Sequence, residues 1–168
     1  LMNNPQTINA EVLVIGSGLA GCIAAMTAAD LGRRVVLVTR SARLQSGSSA
    51  WAQGGIVFKG DGDSRQCLKD DIINASGGHS YEPAVDQLCH LGPELVERWL
   101  LDRLQVPFSK SEQGAYSKTA EAAHSVPRIL YAADHTGKTI TQKLVEGVVA
   151  HENVTVMTDL TAVELLTT

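Results

Sequence analysis

The chain has 168 residues, a length that suits one domain, and 44% of them are hydrophobic while 19% are charged. A formal net charge of −4 gives no basic footprint of the kind that nucleic-acid-binding domains show. No apolar run approaches the roughly 20 residues that span a bilayer. The cysteines Cys22, Cys67 and Cys89 form no close-spaced motif, which favours free thiols in a reducing cytoplasm.

The first predicted unit is a strand, a glycine turn, a helix and a second strand. Apolar residues 12–15 follow Glu11 and precede the glycines, and an Ala-rich run separates the glycines from Val35–Val38. Gly16 allows a sharp turn, Gly18 lets backbone amides approach a pyrophosphate, and Gly21 lets helix and strand pack closely. Unpaired N–H groups at the helix start favour phosphate, although an α/β turn without phosphate is the alternative. The predicted cofactor-binding residues here are Gly16, Ser17, Gly18, Leu19 and Ala20.

The end of the second strand bears on the choice of dinucleotide. NAD sites place an acidic residue there for the ribose hydroxyls. This chain instead continues Thr-Arg-Ser-Ala-Arg over residues 39–43, without a carboxylate. Arg40 and Arg43 are compatible with the 2′-phosphate site of an NADP-binding protein or with two solvated cations, and this segment favours neither.

Residues 46–56 form a loop of small residues that contains Trp51. Such a loop can bury little apolar surface of its own, which favours a backbone that lies against a large flat group such as an isoalloxazine ring. A flexible Ser/Gly linker is the alternative. Trp51 and the strand-like residues 55–58, which give the loop a fixed end, argue against it.

With this loop the chain resembles the succinate dehydrogenase and fumarate reductase flavoprotein superfamily, and most closely the L-aspartate oxidase family. The superfamily loop closes on Ala-Gln-Gly-Gly, as residues 52–55 do. Its respiratory members carry a flavin-linked histidine where this chain has Ser48, so the resemblance implies noncovalent FAD. It also places Arg40 near the adenosine part of FAD. The cofactor-binding residues implied here are Arg40, Ser48, Ser49, Ala50, Trp51, Ala52, Gln53, Gly54 and Gly55.

A mainly helical insertion is predicted for about residues 64–104. Residues 64–75 and 82–104 have helical patterning, and Gly92-Pro93 should divide the second segment because proline hardly continues a helix. A stripe that packs on the flavin-binding part is predicted from Leu88, Leu91, Leu95, Trp99 and Leu100. No metal site is predicted, since the spacing of ligands is wrong for His79, His90, His135 and His151.

Residues 121–137 resemble an oxidase pattern in which Glu, two small residues, His and Ser precede Arg-Ile-Leu and an Ala-Asp-x-Thr-Gly turn. The resemblance implies that Glu121 and His124 bind the substrate. Glu121 would accept a charge-assisted hydrogen bond from the ammonium group of aspartate, which succinate lacks. From spacing alone, the two residues are better explained as a surface ion pair on a helix. Ala122 and Ala123 occupy positions that are commonly glycine in the family.

The last predicted elements are a helix and two strands. The helix runs from Thr136 to about His151, with an apolar stripe at residues 140, 144, 145 and 148. Residues 153–157 and 161–166 have strand patterning, and a strand after a helix extends a parallel sheet through a right-handed crossover. The family resemblance places the first of these strands beside the first dinucleotide-binding strand.

The expected fold is α/β: a truncated, Rossmann-like FAD-binding domain with a parallel sheet and a helical insertion. Because the resembling oxidases are far longer, residues 1–168 are identified as the N-terminal part of that domain, without the capping and C-terminal helical domains. The family's proton-transfer arginine would lie beyond residue 168, so no catalytic residue is assigned within the chain.

For the intact enzyme the resemblance implies oxidation of L-aspartate to iminoaspartate in the quinolinate route to NAD. Oxygen or fumarate would be the electron acceptor, and quinolinate synthase would use the imine. The fragment alone is expected to be inactive. The alternatives are a fumarate reductase or succinate dehydrogenase-like flavoprotein with noncovalent FAD, an NADP-binding reductase, and a non-catalytic cofactor-binding fragment that self-associates through an open sheet edge.

Overall fold

The computed structural model describes residues 7–166, so the two ends of the predicted 1–168 domain lie outside the described residues. The chain divides into a first unit, Leu1–Ser49 with Leu144–Thr168, and a second unit, Ala50–Lys143. The strands are β1 (Val12–Ile15), β2 (Val35–Val38), β3 (Ile56–Val57), β4 (Lys118–Thr119), β5 (Ile129–Leu130) and β6 (Val154–Met157). The helices are α1 (Leu19–Asp30), a 3₁₀ turn at Ser48–Trp51, α2 (Arg65–Ala75), α3 (Glu82–Leu95), a π-helix (Val96–Arg103) and α4 (Thr136–Ala150).

The first unit contains a parallel three-stranded sheet in the order β1-β2-β6, which confirms the α/β prediction. The placement of the later strand was wrong, because β6 pairs with β2 and not with β1. Val35 lies between Val12 of β1 and Val154 of β6. With a neighbour on each side, β2 is buried, as expected for a continuous apolar run in a parallel sheet.

The predicted strand over residues 161–166 is absent. The chain leaves the sheet directly after β6, since Asp159 has a left-handed backbone (φ +58°) and the Leu160 N–H donates to the Thr39 carbonyl at 3.1 Å. Aspartate tolerates this conformation better than most residues do. Val163 is 94% exposed, so this apolar side chain is not buried against any of the described residues.

The second unit combines a short antiparallel sheet, in the order β3-β5-β4, with α2, α3 and the π-helix. The predicted helix at residues 64–75 is confirmed, and the Ser64 side chain caps its start by accepting from the Cys67 N–H. The predicted break at Gly92-Pro93 is wrong, because α3 continues through Pro93 into the π-helix. An internal proline costs about 3 kcal/mol. Burial of the large side chains at positions 96, 99 and 100 offsets this, at roughly 1.5–3 kcal/mol each.

The buried face of these helices differs from the predicted stripe. Trp99 and Leu100 are buried as expected, but the leucines at 88, 91 and 95 are 37–56% exposed. Val85 and Cys89 instead form a core cluster with Leu68 of α2. Because Val85 and Cys89 occupy the face of α3 that meets α2, the three leucines lie on the side of the helix that is open to solvent.

The predicted helix after residue 136 is confirmed as α4, in which Ile140, Leu144 and Val148 are buried. Among the described residues, none of the helices combines the length and apolar character that a membrane crossing needs. The three cysteines are free thiols.

Candidate functional site

A cleft of about 400 Å³ lies at the carboxyl ends of β1 and β2 in the first unit. This is the edge of a parallel sheet at which α/β proteins bind their ligands. The cleft is lined by Ile15, Gly16, Ser17, Gly18, Val38, Thr39, Arg40, Ser41, Ser46, Gly47, Leu160, Thr161 and Ala162.

The glycine turn has the geometry that the sequence predicted. Gly16 has a left-handed backbone (φ +109°), and a Cβ added to Gly21 would lie only 2.0 Å from the Gly16 carbonyl oxygen. Gly18 is the N-cap residue of helix α1 and supplies no side-chain cap, and the first turn of the helix has no acidic residue. Its N-terminal amides and positive dipole end therefore favour an anion in the cleft.

Ser17 anchors this turn to the segment that follows β2. Its side chain is buried; its hydroxyl donates to the Leu44 carbonyl at 2.8 Å and lies 3.2 Å from Thr39 Oγ1. Leu19 is fixed by a second serine, since its N–H donates to Ser49 Oγ at 3.3 Å. The described structure thus joins the glycine motif to two later segments that the sequence left separate.

A larger cavity, of about 820 Å³, lies in the second unit. A Cβ added to Gly54 would lie 3.3 Å from Glu121 Oε2, so the small-residue loop and the distant Glu121 motif meet here. The loop is also held from its other side, because the Gly137 N–H donates to the Ala52 carbonyl at 2.8 Å. The cavity is lined by Gln53, Gly54, Thr119, Glu121, Tyr131, Ala133 and Asp134.

The charge of this cavity is negative. Glu121 and Asp134 contribute carboxylates, whereas no lysine or arginine is among the described residues that line it. Ala122 and Ala133, each next to one of these acids, have left-handed backbones with φ of +54° and +45°. Residues other than glycine rarely adopt this conformation, which explains why glycine suits position 122. The two alanines therefore place local backbone strain beside the cavity.

The rest of the predicted flavin loop is largely open to solvent. Ser48 to Trp51 form one turn of 3₁₀ helix, and the Trp51 side chain is 80% exposed. Gly55, where the loop ends, needs to be glycine. Its φ is +111°, and a Cβ there would lie 2.4 Å from Ile129 Cγ2 and 2.5 Å from the Leu130 carbonyl oxygen.

The two predicted substrate-binding residues have different surroundings. Glu121 lines the cavity, while His124 is not among the lining residues and its Nδ1 lies 2.8 Å from Arg128 Nη1. The segment is a turn rather than a helix, closed by the His124 N–H that donates to the Glu121 carbonyl at 3.3 Å. The alternative interpretation, an ion pair between these two side chains on a helix, is therefore wrong about the helix.

Sequence reasoning missed an ion cluster around Arg128, which is 0% exposed. Its Nε and Nη2 donate to the two oxygens of Asp63 at 2.7 and 2.8 Å, and its Nη1 donates to Asp71. Asp71 also accepts from the N–H and the hydroxyl of Ser125, both at 2.9 Å. The available signal was an arginine directly before the buried strand Ile129–Leu130, since a buried arginine needs charged partners.

These contacts shift the pKa values of the cluster. The backbone N–H of Ser125 and then the Arg128 guanidinium lower the pKa of Asp71 to about 2. Burial acts to raise the pKa of Asp63, but hydrogen bonds from Arg128, Gly60 and Ser64 outweigh it and lower the pKa. The bonds to Asp63 and Asp71 raise the pKa of Arg128, so all three groups are held in their charged forms.

Comparison with known proteins identifies the family. The FAD binding domain family matches residues 11–168. The chain belongs to this family. It is 41% identical over 157 residues to the L-aspartate oxidase of Halobacterium salinarum, with 94% of this chain and 30% of the relative covered. It is 38% identical over 163 residues to L-aspartate oxidase 1 of Ralstonia nicotianae, at 95% and 30% coverage.

The chain therefore spans about 30% of the length of these curated relatives. Among solved structures, an E. coli quinol fumarate reductase has a TM-score of 0.83 at 22% identity, over 90% of this chain and 26% of that one. A 3-ketosteroid-Δ4-(5α)-dehydrogenase from Rhodococcus jostii has a TM-score of 0.69 at 22% identity, over 89% and 38%. At this identity the structures establish the FAD-binding fold, and the fold hosts more than one activity.

The cleft of this FAD-binding chain fits the phosphate-bearing part of its cofactor. A side chain at Gly21 is excluded by contact with backbone, and the start of α1 carries no acid that would repel an anion. Arg40 lines the cleft, while Arg43 is not among its lining residues, which weakens the case for a paired 2′-phosphate site.

Several cleft residues were missed at the sequence level. Thr161 and Ala162 come from the segment that was predicted as a strand, and Leu160 directly precedes it. All three reach the cleft only because the chain turns at Asp159. A Thr-Asp pair directly after the apolar run of β6 was the available turn signal. Thr39, Ser41, Ser46 and Gly47 also line the cleft.

Proposed function

We propose that this chain binds FAD noncovalently and forms part of a longer protein that oxidises L-aspartate to iminoaspartate. The observation that carries the proposal is the position of Glu121: its carboxylate lies against Gly54 of the flavin loop, and both residues line a cavity with a negative lining. Two relatives at 41% and 38% identity are named L-aspartate oxidase, which supports the same substrate.

The cofactor is assigned to the residues of the glycine turn and the loop. Backbone amides of residues 16–20 would hold the pyrophosphate, and Arg40 would lie beside the adenosine. Residues 48–55 would hold the ring system. Ser48 carries a hydroxyl, which can hydrogen-bond to a flavin but lacks the ring nitrogen through which histidine forms a covalent link. Bound FAD supplies the acceptor for the electron pair that leaves the substrate.

Glu121 is assigned to the substrate ammonium group. A carboxylate accepts a charge-assisted hydrogen bond from an ammonium, and this bond is absent for succinate, which has a CH₂ group in its place. Since lysine and arginine are missing from the described lining, the cationic groups that hold the two substrate carboxylates would belong to the remainder of the longer protein. Within this chain Glu121 is assigned to the cationic end of the substrate, and His124, the second predicted substrate-binding residue, is assigned as a neutral hydrogen-bond donor to the substrate.

The electron acceptor and the use of the product complete the proposal. Oxygen or fumarate reoxidises the flavin, and quinolinate synthase consumes the imine. These assignments extend the family resemblance of the sequence, and the 168-residue chain alone is expected to be inactive.

The test uses the full-length protein, loaded with FAD and kept free of oxygen. L-aspartate should bleach the flavin absorbance much faster than succinate does. In a Glu121→Gln variant the ratio of the two rates should fall about 10- to 100-fold, the value of a hydrogen bond to a charged group. Glu112→Gln, which removes an exposed carboxylate outside the cavity lining, should leave the ratio unchanged. Preferential reduction by succinate in the wild type would contradict the proposed substrate.

A further inference from the structure

We propose that Arg128 is a positioning residue that holds His124 with its proton on Nε2, so that the imidazole serves as a hydrogen-bond donor for the substrate. The donor role rests on the proposed function, whereas the tautomer rests on contacts within the second unit alone. Arg128 is buried, and His124 lies in the turn that begins at Glu121.

The five N–H groups of Arg128 can be assigned one by one. The Nε–H and one Nη2–H donate to Asp63, and the second Nη2–H points to Cys67 Sγ at 3.2 Å. One Nη1–H donates to Asp71, and the other lies on His124 Nδ1 at 2.8 Å. Arginine has five donors and no acceptor. Every donor is therefore used, and Nδ1 of His124 is the acceptor in its contact.

A histidine whose Nδ1 accepts a hydrogen bond carries its proton on Nε2. Two facing donors at 2.8 Å would repel each other, which excludes a proton on Nδ1 in this arrangement. Nε2 lies on the opposite side of the ring and faces away from Arg128. The imidazole thus presents one N–H outward, with a direction fixed by a fully buried cation.

The same cluster also fixes the backbone of the turn. Ser125 follows His124 and gives both its N–H and its hydroxyl to Asp71, at 2.9 Å each. His124 in turn donates its own N–H to the Glu121 carbonyl. The position of Glu121 at the cavity is therefore coupled through one turn to the Arg128 and Asp71 pair, and the side chain of His124 cannot rotate without breaking its contact with Arg128.

The first test is the tautomer itself. In the ¹⁵N-histidine-labelled full-length protein, His124 is assigned by comparison with His124→Gln, and long-range proton–nitrogen spectra are recorded near neutral pH. We expect an unprotonated Nδ1 and a protonated Nε2. A proton on Nδ1, or an average over both tautomers, would overturn the inference. In an Arg128→Lys variant the fraction of His124 that carries its proton on Nδ1 should increase. An unchanged spectrum of the folded variant would overturn the positioning role of Arg128. If this variant does not fold, the wild-type spectrum decides whether the tautomer is the one that we infer.

The second test separates the two nitrogens in the full-length enzyme. In His124→Gln the amide nitrogen can replace Nε2–H, whereas in His124→Asn the carbonyl can replace Nδ1 but the outward donor is lost. We expect kcat/KM for L-aspartate to fall about tenfold or more in the asparagine variant and less in the glutamine variant. Equal losses, or a smaller loss with asparagine, would overturn the donor role. An enzyme inactive toward L-aspartate would refute the proposed function, while the spectrum would still report the tautomer.

Discussion

Removal of the Arg128 side chain should destabilise the second unit severely. In Arg128→Met the apolar length of the side chain is kept, but Asp63 and Asp71 lose their cationic partner. Their side chains are only 8% and 11% exposed. Breaking a buried pair from one side typically costs 3–5 kcal/mol, about the lower end of the total stability of a domain.

The matched control is Lys59→Met in the same unit. Lys59 and Glu97 form an ion pair at 2.6 Å, but their side chains are 49% and 46% exposed. An exposed pair contributes about 1 kcal/mol or less. Urea unfolding of each variant, followed by circular dichroism, should therefore give losses in the free energy of unfolding that differ by at least about 2 kcal/mol.

The pH dependence of the loss identifies its cause. Because the pKa of Asp71 is lowered in the folded state from 3.8 to about 2, its stabilisation is present above pH 4 and is lost as the pH falls toward 2. A difference of this size corresponds to about 2 kcal/mol. In Arg128→Met, protonation removes the unpaired buried charges of Asp63 and Asp71 and so stabilises the folded variant. The difference in the free energy of unfolding between the variant and the wild type should therefore become smaller as the pH falls. Equal losses for both variants, or a gap independent of pH, would refute an electrostatic role for the cluster.

Two further outcomes are expected. Gly21→Ala should weaken FAD binding to the full-length protein more than tenfold, measured by flavin fluorescence, because its Cβ would lie 2.0 Å from the Gly16 carbonyl oxygen. The control variant Gly92→Ala should bind FAD as the wild type does, because its Cβ has room in α3. Equal FAD binding by both variants would contradict the close packing at Gly21. Iodoacetamide should modify half-buried Cys67 before Cys22, since Cys22 is 0% exposed and burial raises its pKa to about 11; peptide mapping that finds Cys22 labelled first would contradict this.

The parts of the fold that the sequence predicted well depend on local chemistry. The glycine turn, α1 and β2 follow from steric rules within a few residues, and so does the capped start of α2 at Ser64. The order of strands depends on distant pairing. The family resemblance placed β6 beside β1, and no local pattern in the sequence distinguishes that edge from the edge of β2 with which β6 pairs. The path after Met157 was missed for a related reason, since one left-handed residue, Asp159, outweighed the strand-like alternation that follows it.

The candidate site shows the same division. The loop that ends at Gly55 and the acid at Glu121 were both selected from sequence, but only the folded chain brings them to one cavity. The Arg128 cluster joins residues 57 and 65 positions apart, and no local pattern marks Asp63 or Asp71 as its partners. His124 was predicted to bind substrate, and its contact with Arg128 through Nδ1 became visible only in the folded chain.

Release of the flavin by acid tests the central claim most directly. The full-length protein is purified, its visible spectrum is recorded, and it is precipitated with acid. Because Ser48 offers no ring nitrogen for a covalent link, we predict a flavin spectrum before precipitation and all of the yellow colour, as FAD, in the supernatant afterwards. Flavin that stays with the pellet, or a protein that carries no flavin, would contradict the account.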